Sequence, residues 1–469
     1  MGQGMYLDEL TAYRRVLLLQ GPIGPFFWRL ANFLQSRGIE VVKVNLNGGD
    51  ALFFPSWASP GTIYTFNSSA TRWRPFLRQV MGRHSIDAVV LFGDCRFYHR
   101  VAARLARRLG VEVFVFEEGY LRPDYITLAR NAVNGHAGLS SDSSFYRTLP
   151  DRPIAPAQSM SQRAVYSGVL FAALYGLAGR LGRRRFPNYR HHRQYFSMRH
   201  GLCWVRGWLR KYLYRVHERN TLALLGGPLS NRFFLVPLQV HKDAQVLFHS
   251  PYRSIVSFVA EVVGSFAAHA PIDTHLVFKH HPLDRGFRDY GELIARLAAE
   301  HGIAARVHYV HDVHLPSLLD HARGTILINS TVGMSSLLHG TPVKVLGQAI
   351  YDMPGLAHQG SLATFWQQPE PIDHDLLQRF RNFVIEQTQV NGNYYLFGSF
   401  QLGRELNPAQ PLEAPDSLVL ASFPNHVLLE DSPSPVIDDD EKSDTASSEP
   451  IQPTPLNTVV PARQMQHSA

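Results

Sequence analysis

Short, almost wholly apolar runs recur along this chain, each closed by a glycine- or polar-rich turn and followed by a stretch of helical spacing. That pattern constrains the fold more than any other feature. Arg15–Gln20, Glu40–Asn45, Asp87–Phe92 and Val111–Phe116 read as strands buried on both faces, with helices over Phe27–Arg37 and Tyr98–Leu109 between them. The rhythm stops near residue 150. It resumes with Arg232–Pro237, Thr274–Phe278, Ala305–Tyr309, Thr325–Ile328 and Val343–Leu346, and helices are expected over Ile255–Ala268 and Tyr290–His301. Alternating strands and helices predict an α/β protein with two Rossmann-like, doubly wound domains facing a cleft. The expected divisions are an N-terminal domain over 1–150, a helical insert over 151–228, a second domain over 229–405 and a disordered tail over 406–469.

The insert is the basic part. Between Arg180 and Arg219 there are twelve lysines or arginines against one acid, Glu218, with tryptophan and tyrosine interleaved. The last forty residues, from Glu430, carry eight acids and two bases, a net of −6. The chain's +8 therefore leaves +14 on the remainder, which points to polyanionic or phosphorylated partners. The apolar stretch Val165–Gly179 is shorter than the ~20 residues a spanning helix needs. With the arginines after it, the stretch reads as a segment lying at a membrane surface. No nucleic-acid motif accompanies the charge, so nucleic acid is not expected as a partner. Two distant cysteines, Cys95 and Cys203, exclude a disulfide framework and a cysteine-based zinc site. The first residues lack a basic-then-apolar leader, so export is not expected.

In open α/β sheets ligands bind beyond the carboxyl ends of the strands, so the residues there are the candidates. Gly21 and Gly24 precede a helix, where they serve either a tight turn or close approach of a ligand. Asp94 and Arg96 follow the third predicted strand. Glu117 and Glu118 close the fourth, an acid pair suited to proton transfer or to a plain surface turn. Gln239 and Asp243 follow Pro237; a loop aspartate alone is also a common cap. Lys279, His280, His281 and Pro282 gather donors that suit a phosphate better than a metal. Asn329, Ser330 and Thr331 precede a short helix, as an anion cradle or as an ordinary cap.

The strings Gln20-Gly-Pro-Ile-Gly24, Asn45-Leu-Asn-Gly-Gly-Asp50, Phe92-Gly-Asp-Cys-Arg-Phe-Tyr-His99, Glu117-Glu-Gly-Tyr-Leu-Arg-Pro-Asp124, Lys279-His-His-Pro282 and Asn329-Ser-Thr-Val-Gly333 occur in this order. They resemble the bacterial capsule polysaccharide proteins of the KpsS/LipB type over residues 14 to about 400. The resemblance implies a GT-B architecture and a retaining β-Kdo glycosyltransferase. The donor would be CMP-Kdo and the acceptor a phosphatidylglycerol-type lipid on which the capsule linker starts. It further implies Asp243 as nucleophile, with Asp94 in reserve, Glu117 or Glu118 as acid/base, and His281, Ser330 and Thr331 on the CMP phosphate. Lys279, Pro282, Asn329, Gln239, Gly21, Gly24, Asp94, Arg96 and Arg122 would be further substrate contacts. No cofactor and no metal are expected. The implied place is the cytoplasmic face of the inner membrane, beside other capsule biosynthesis and ABC export proteins. Two alternatives stay open: an inverting, sialyltransferase-like CMP-sugar transferase, and a non-enzymatic component of the export machinery.

Overall fold

The computed structural model describes residues 5–395 apart from 60, 134–137, 152, 155, 158–162, 191–197, 242–245 and 247–249. The acidic tail therefore lies outside the described residues, and so does Asp243. In the first half the elements run α1 Met5–Leu10, β1 Arg15–Leu18, α2 Phe26–Ser36, β2 Glu40–Asn45, α3 Gly48–Phe53, β3 Thr62–Thr65, α4 Trp73–Arg83, β4 Ala88–Phe92, α5 Phe97–Arg108, β5 Glu112–Glu118, β6 Tyr125–Arg130 and α6 Ser143–Thr148. The insert holds α7 Arg163–Leu181, α8 Met198–His217 and α9 Thr221–Gly226. The second half runs β7 Phe233–Pro237, α10 Ile255–His269, β8 His275–Lys279, α11 Gly291–Glu300, β9 Val307–Val310, α12 Leu315–His321, β10 Gly324–Leu327, α13 Val332–Leu338, β11 Val343–Val345, α14 Leu362–Gln367, α15 His374–Thr388 and β12 Gln389–Asn391.

The strands form two sheets, as the alternation predicts. The first has the order β3-β2-β1-β4-β5-β6-β12, the second β9-β8-β7-β10-β11. β1 to β5 pair in parallel, and so does the whole second sheet. The central strands β1, β4, β5, β7 and β8 are mostly apolar because both their faces are covered. Val16, Leu18 and Val90 pack on the α2 side, while Leu17, Val89 and Leu91 pack on α4 and α5. In each sheet the first strand lies in the middle and the winding reverses beside it, between β1 and β4 and between β7 and β10. Those two reversals are where an open sheet of this kind leaves a crevice.

Two details differ from the boundaries drawn on sequence. β12, expected in the second half, adds antiparallel to β6 at the edge of the first sheet. α15, which leads into it, packs in one apolar cluster with residues of both halves: Tyr120, Leu121 and Tyr146 on one side, Leu327, Met334 and Tyr351 on the other. The insert also does not stand apart. Phe171 and Tyr175 of α7 belong to the core of the first half, and Leu225 of α9 to that of the second.

α7 docks through glycines. A Cβ on Gly48 would stand 2.2 Å from the Ala178 carbonyl oxygen, and one on Gly49 would enter the Tyr175 ring. Gly48→Val is therefore expected to push α7 away and to cost about 2 kcal/mol of stability, within the usual range for overpacking. A denaturant melt with an unchanged midpoint would show that α7 does not need this contact.

Candidate functional site

At the β1–β4 reversal, Gln20 follows β1 and is buried. Its Nε2 donates to the hydroxyls of Tyr175 and Tyr189 (both 2.9 Å) and to Asp50 Oδ1 (3.3 Å), while its Oε1 accepts from Arg96 Nη1 (3.1 Å). Asn47 and Asp50 complete the network. Asn47 Nδ2 reaches the Tyr175 hydroxyl (2.6 Å), and Asp50 Oδ2 takes the Leu46 N–H (3.0 Å). The insert thus helps to build the floor of this crevice through two tyrosines. Arg96 lies buried with its guanidinium over the Phe92 ring, 5.2 Å from the centroid.

Glu117 is 8% exposed at the end of β5. Its Oε1 accepts from the Glu118 N–H (3.2 Å), and its buried Oε2 has no hydrogen-bond partner among the described residues. Burial pushes its pKa well above the ordinary 4.5; the nearby Asp94 and Glu118 carboxylates add to this, and the Glu118 N–H and Arg96 oppose it. Glu118 is half-buried, and its Oε1 takes a long bond from the Tyr395 hydroxyl (3.4 Å). The two acids are therefore not equivalent. Asp94 is engaged locally and with the chain after β6: Oδ1 accepts from the Cys95 thiol (3.1 Å) and Oδ2 from the Val133 N–H (3.3 Å). Burial and Asp94 push the Cys95 thiol far up, so it stays protonated. Arg122 folds back, its Nε donating to the Gly119 carbonyl (3.2 Å). Gly119 itself is required there, because a Cβ would stand 1.9 Å from the Tyr125 oxygen.

At the β7–β10 reversal the counterpart of Gln20 is Gln239. Its Nε2 donates to Asn329 Oδ1 (3.1 Å) and its Oε1 accepts from the Asn329 N–H (3.4 Å). Ser330 follows, its carbonyl held by the Tyr351 hydroxyl (2.5 Å) and its Oγ accepting from the Val332 N–H (3.2 Å). Thr331 precedes α13. On the other side of β7, His281 opens the turn Pro282–Asp284, and its Nδ1 accepts from the Leu283 N–H (3.2 Å). In the neutral ring that bond leaves the proton on Nε2.

The structure does not bring Lys279 to the rim with His281. It is 8% exposed, and its ammonium donates to the His311 carbonyl (3.2 Å). Burial, with Arg285 nearby, lowers its pKa to about 8. His280 points under the edge, 2.5 Å from the Tyr309 hydroxyl, and burial keeps it neutral. Among the described residues no group of three or more His, Cys, Asp or Glu could hold a metal ion.

Sequence reasoning missed one pair here. Asp284, 1% exposed, accepts both the His241 N–H (2.8 Å) and His241 Nδ1–H (2.5 Å). It thereby holds the chain two residues before Asp243. The only sequence signal was an aspartate two places after His-Pro. The loop that carries Asp284 is itself held by α8. Arg206 donates to the Gly286 carbonyl and Arg210 to that of Arg285 (3.0 Å); just beyond α8, Glu218 accepts the His311 and Asp312 N–H groups of the loop after β9 (both 2.7 Å). Several cations of the insert are thus engaged within the fold. Others, among them Arg180, Arg183 and Arg184, are exposed. Beside them α7 exposes Tyr166, Val169, Leu170, Leu174, Leu177 and Leu181, and α8 exposes a second apolar stripe from Leu202 to Val216. No helix among the described residues is long and apolar enough to cross a membrane.

Residues 87–395 match the family described as "Capsule polysaccharide biosynthesis protein". Capsule polysaccharide export protein KpsS of Escherichia coli is 40% identical over 393 residues, 84% of this chain and 100% of that one. Capsule polysaccharide modification protein LipB of Neisseria meningitidis serogroup B is 39% identical over 409 residues, 86% of this chain and 97% of that one. Among solved structures, the beta Kdo 2,7 transferase KpsC of Thermosulfurimonas dismutans aligns at 15% identity and a TM-score of 0.34, covering 68% of this chain and 82% of its own.

Proposed function

This chain belongs to the capsule polysaccharide biosynthesis protein family, and from that membership we propose that it is a retaining β-Kdo transferase. It moves Kdo from CMP-Kdo to a phosphatidylglycerol-type lipid and so starts the linker of a capsular polysaccharide. The observation that carries the reading is Glu117, a buried carboxyl with one oxygen unpartnered among the described residues, at the carboxyl end of β5, one strand beyond the reversal of the first sheet. A buried carboxyl whose charged form is disfavoured by its surroundings is a stronger base once ionised, which suits taking the proton of a hydroxyl.

The Asp243 carboxylate attacks the anomeric carbon, and the bond from that carbon to the CMP phosphate oxygen breaks. The departing phosphate is held by Ser330, Thr331 and the Nε2–H of His281. The lipid hydroxyl then attacks the same carbon, gives its proton to Glu117 and releases Asp243. Two displacements at one centre retain its configuration. Gln239 and Asn329 lock the donor edge, and Gln20 and Arg96 lock the acceptor edge. The test is transfer from CMP-Kdo to a short-chain fluorescent phosphatidylglycerol, read by mass and by the anomeric signal of the product. A single β-linked Kdo supports the reading. An inverted product removes Asp243 as nucleophile. Failure to release CMP with this lipid or with a Kdo-primed one leaves an export component instead.

The exposed stripes of α7 and α8 support a working position on the cytoplasmic face of the inner membrane. The adjacent arginines would meet anionic headgroups, each contributing about 1 kcal/mol. Replacing Arg183 and Arg184 with alanine is then expected to weaken binding to vesicles containing phosphatidylglycerol by roughly 30-fold. Sedimentation with vesicles at low and high salt measures it, and salt-independent binding of wild type would contradict the role given to the arginines.

A further inference from the structure

α8 lies the opposite way round from an ordinary amphipathic helix, which buries its apolar side. Leu202, Val205, Leu209, Leu213 and Val216 face solvent. Cys203, Arg206, Gly207, Arg210 and Tyr214, spaced three and four residues apart as one helical face is, turn inward onto the loops after β8 and β9. We propose that α8 is a surface-sensing positioning element. An anionic lipid surface holds its apolar side outward, and its inner side then seats residues 284–287 and, through them, His241 ahead of Asp243. The proposal deepens the transferase reading and rests on it for the role of Asp243.

The seating is close and polar. A Cβ on Gly286 would stand 1.9 Å from the Cys203 carbonyl oxygen, so backbone meets backbone here. Arg206 Nε donates to the Gly286 carbonyl (2.8 Å) and Arg210 Nη1 to that of Arg285 (3.0 Å). Trp204 meets the Phe287 ring edge-on, with centroids 6.0 Å apart. Phe287 in turn stacks against the His241 ring at 6.2 Å. Asp284, in the same turn, accepts both N–H groups of His241. The helix therefore reaches His241 by two routes, one through an aromatic ring and one through a carboxylate. Towards its end Tyr214 stacks on the His311 ring at 3.7 Å, which anchors α8 to the loop after β9 as well.

A helix with an apolar side in water has a competing arrangement. Rolling about its own axis would bury that side and draw Arg206 and Arg210 off their carbonyls. A surface that takes up the stripe favours only the seated orientation, and a ligand shifts an equilibrium only through such a difference. Charge sets the kind of surface. Residues 163–217 include no aspartate or glutamate, and Arg180, Arg183, Arg184 and Arg219 are exposed. An anionic bilayer thus meets no like charge from α7 or α8, and the leucines and valines of the stripe suit the depth of its headgroup boundary.

The experiment uses the full-length protein and two readouts, each taken in buffer, with phosphatidylserine vesicles and with phosphatidylcholine vesicles. The first is hydrogen exchange of the backbone amides over 238–241 and 284–287, without donor. The second is Kdo transfer to a short-chain phosphatidylglycerol kept below its micellar concentration. Phosphatidylserine should slow exchange in both segments and raise kcat roughly tenfold with the KM for CMP-Kdo little changed; phosphatidylcholine should do neither. The double variant Leu209→Gln, Leu213→Gln should keep the wild-type rate in buffer and lose the response. Arg206→Gln should still sediment with phosphatidylserine vesicles yet show neither effect, and a response equal to that of wild type would break the link through α8. Should Arg206→Gln not fold, the outer-face variant decides, and a full response there is the negative result. Wild type that leaves phosphatidylserine vesicles unbound, or binds them with both segments exchanging as in buffer, overturns the proposal. Slowed exchange in a protein that transfers no Kdo keeps the coupling and removes the transferase reading. Transfer that proceeds while neither readout responds to vesicles does the reverse.

Discussion

Glu117→Gln is expected to lower Kdo transfer by about 10²–10⁴-fold, the usual range for a lost acid–base group, and at the same time to stabilise the protein. The two effects share one cause. The wild-type carboxyl is buried beside Asp94 and Glu118, and its charged form is disfavoured. Its pKa in the folded protein lies above the unfolded value of 4.5, so between the two the folded state holds a proton that the unfolded state has lost. Wild-type stability therefore falls as pH rises from 4.5 until the folded value is passed. A glutamine has no such slope. Above that window the variant should be the more stable of the two, whereas near pH 4 the two proteins should melt alike. Denaturant melts at pH 4 and pH 8 together with transfer rates measure both halves. Glu118→Gln, changing a half-buried group, should move neither as far. Undiminished transfer by folded Glu117→Gln would remove the acid–base role.

Asp284→Ala is expected to reduce transfer by about 10²-fold, the scale on which a misplaced reacting group costs rate. The fold should lose about 1–3 kcal/mol through the donors left unpaired at His241. Both oxygens of this buried carboxylate hold His241, and His241 stands two residues before the proposed nucleophile. Asp284→Asn keeps an acceptor for the backbone N–H and should recover part of the loss. On the proposed reading the effect should fall on kcat more than on the KM for CMP-Kdo, because the phosphate contacts proposed for Ser330 and Thr331 do not involve Asp284. An enzyme that transfers normally without Asp284 would detach this clamp from the chemistry.

The sheets were legible because parallel strands covered on both faces must be apolar throughout, which marks β1, β4, β5, β7 and β8 without ambiguity. The edges were not. β12 is only Gln389-Val-Asn391, too short to show a period, and pairs with a strand some 260 residues earlier. The strand-end rule singled out Glu117, Gln239, His281 and Ser330, since chain order alone places them just after the apolar runs. It also included Lys279, whose alternation along β8 turns it under the edge. Asp284 escaped because its contacts depend on what folds against it, a loop 43 residues away. The insert was expected to be basic and helical, and α7, α8 and α9 lie within it. Charge counting could not reveal that Arg206 and Arg210 are tied to carbonyls of the second half.

The apolar cluster of α15 with Tyr120, Tyr146, Met334 and Tyr351 has a mechanical consequence. Two halves sharing a close-packed aromatic core cannot slide apart without opening a void, so movement between them must rock about that core as a fulcrum. Tyr120 and Leu121 belong to it and stand only a few residues beyond Glu117, so the acid sits beside the pivot and travels least. The far margins, β3 in one sheet and β9 in the other, sit on the long arms of the lever. Any opening between the halves would then be widest at those margins and smallest at the shared core.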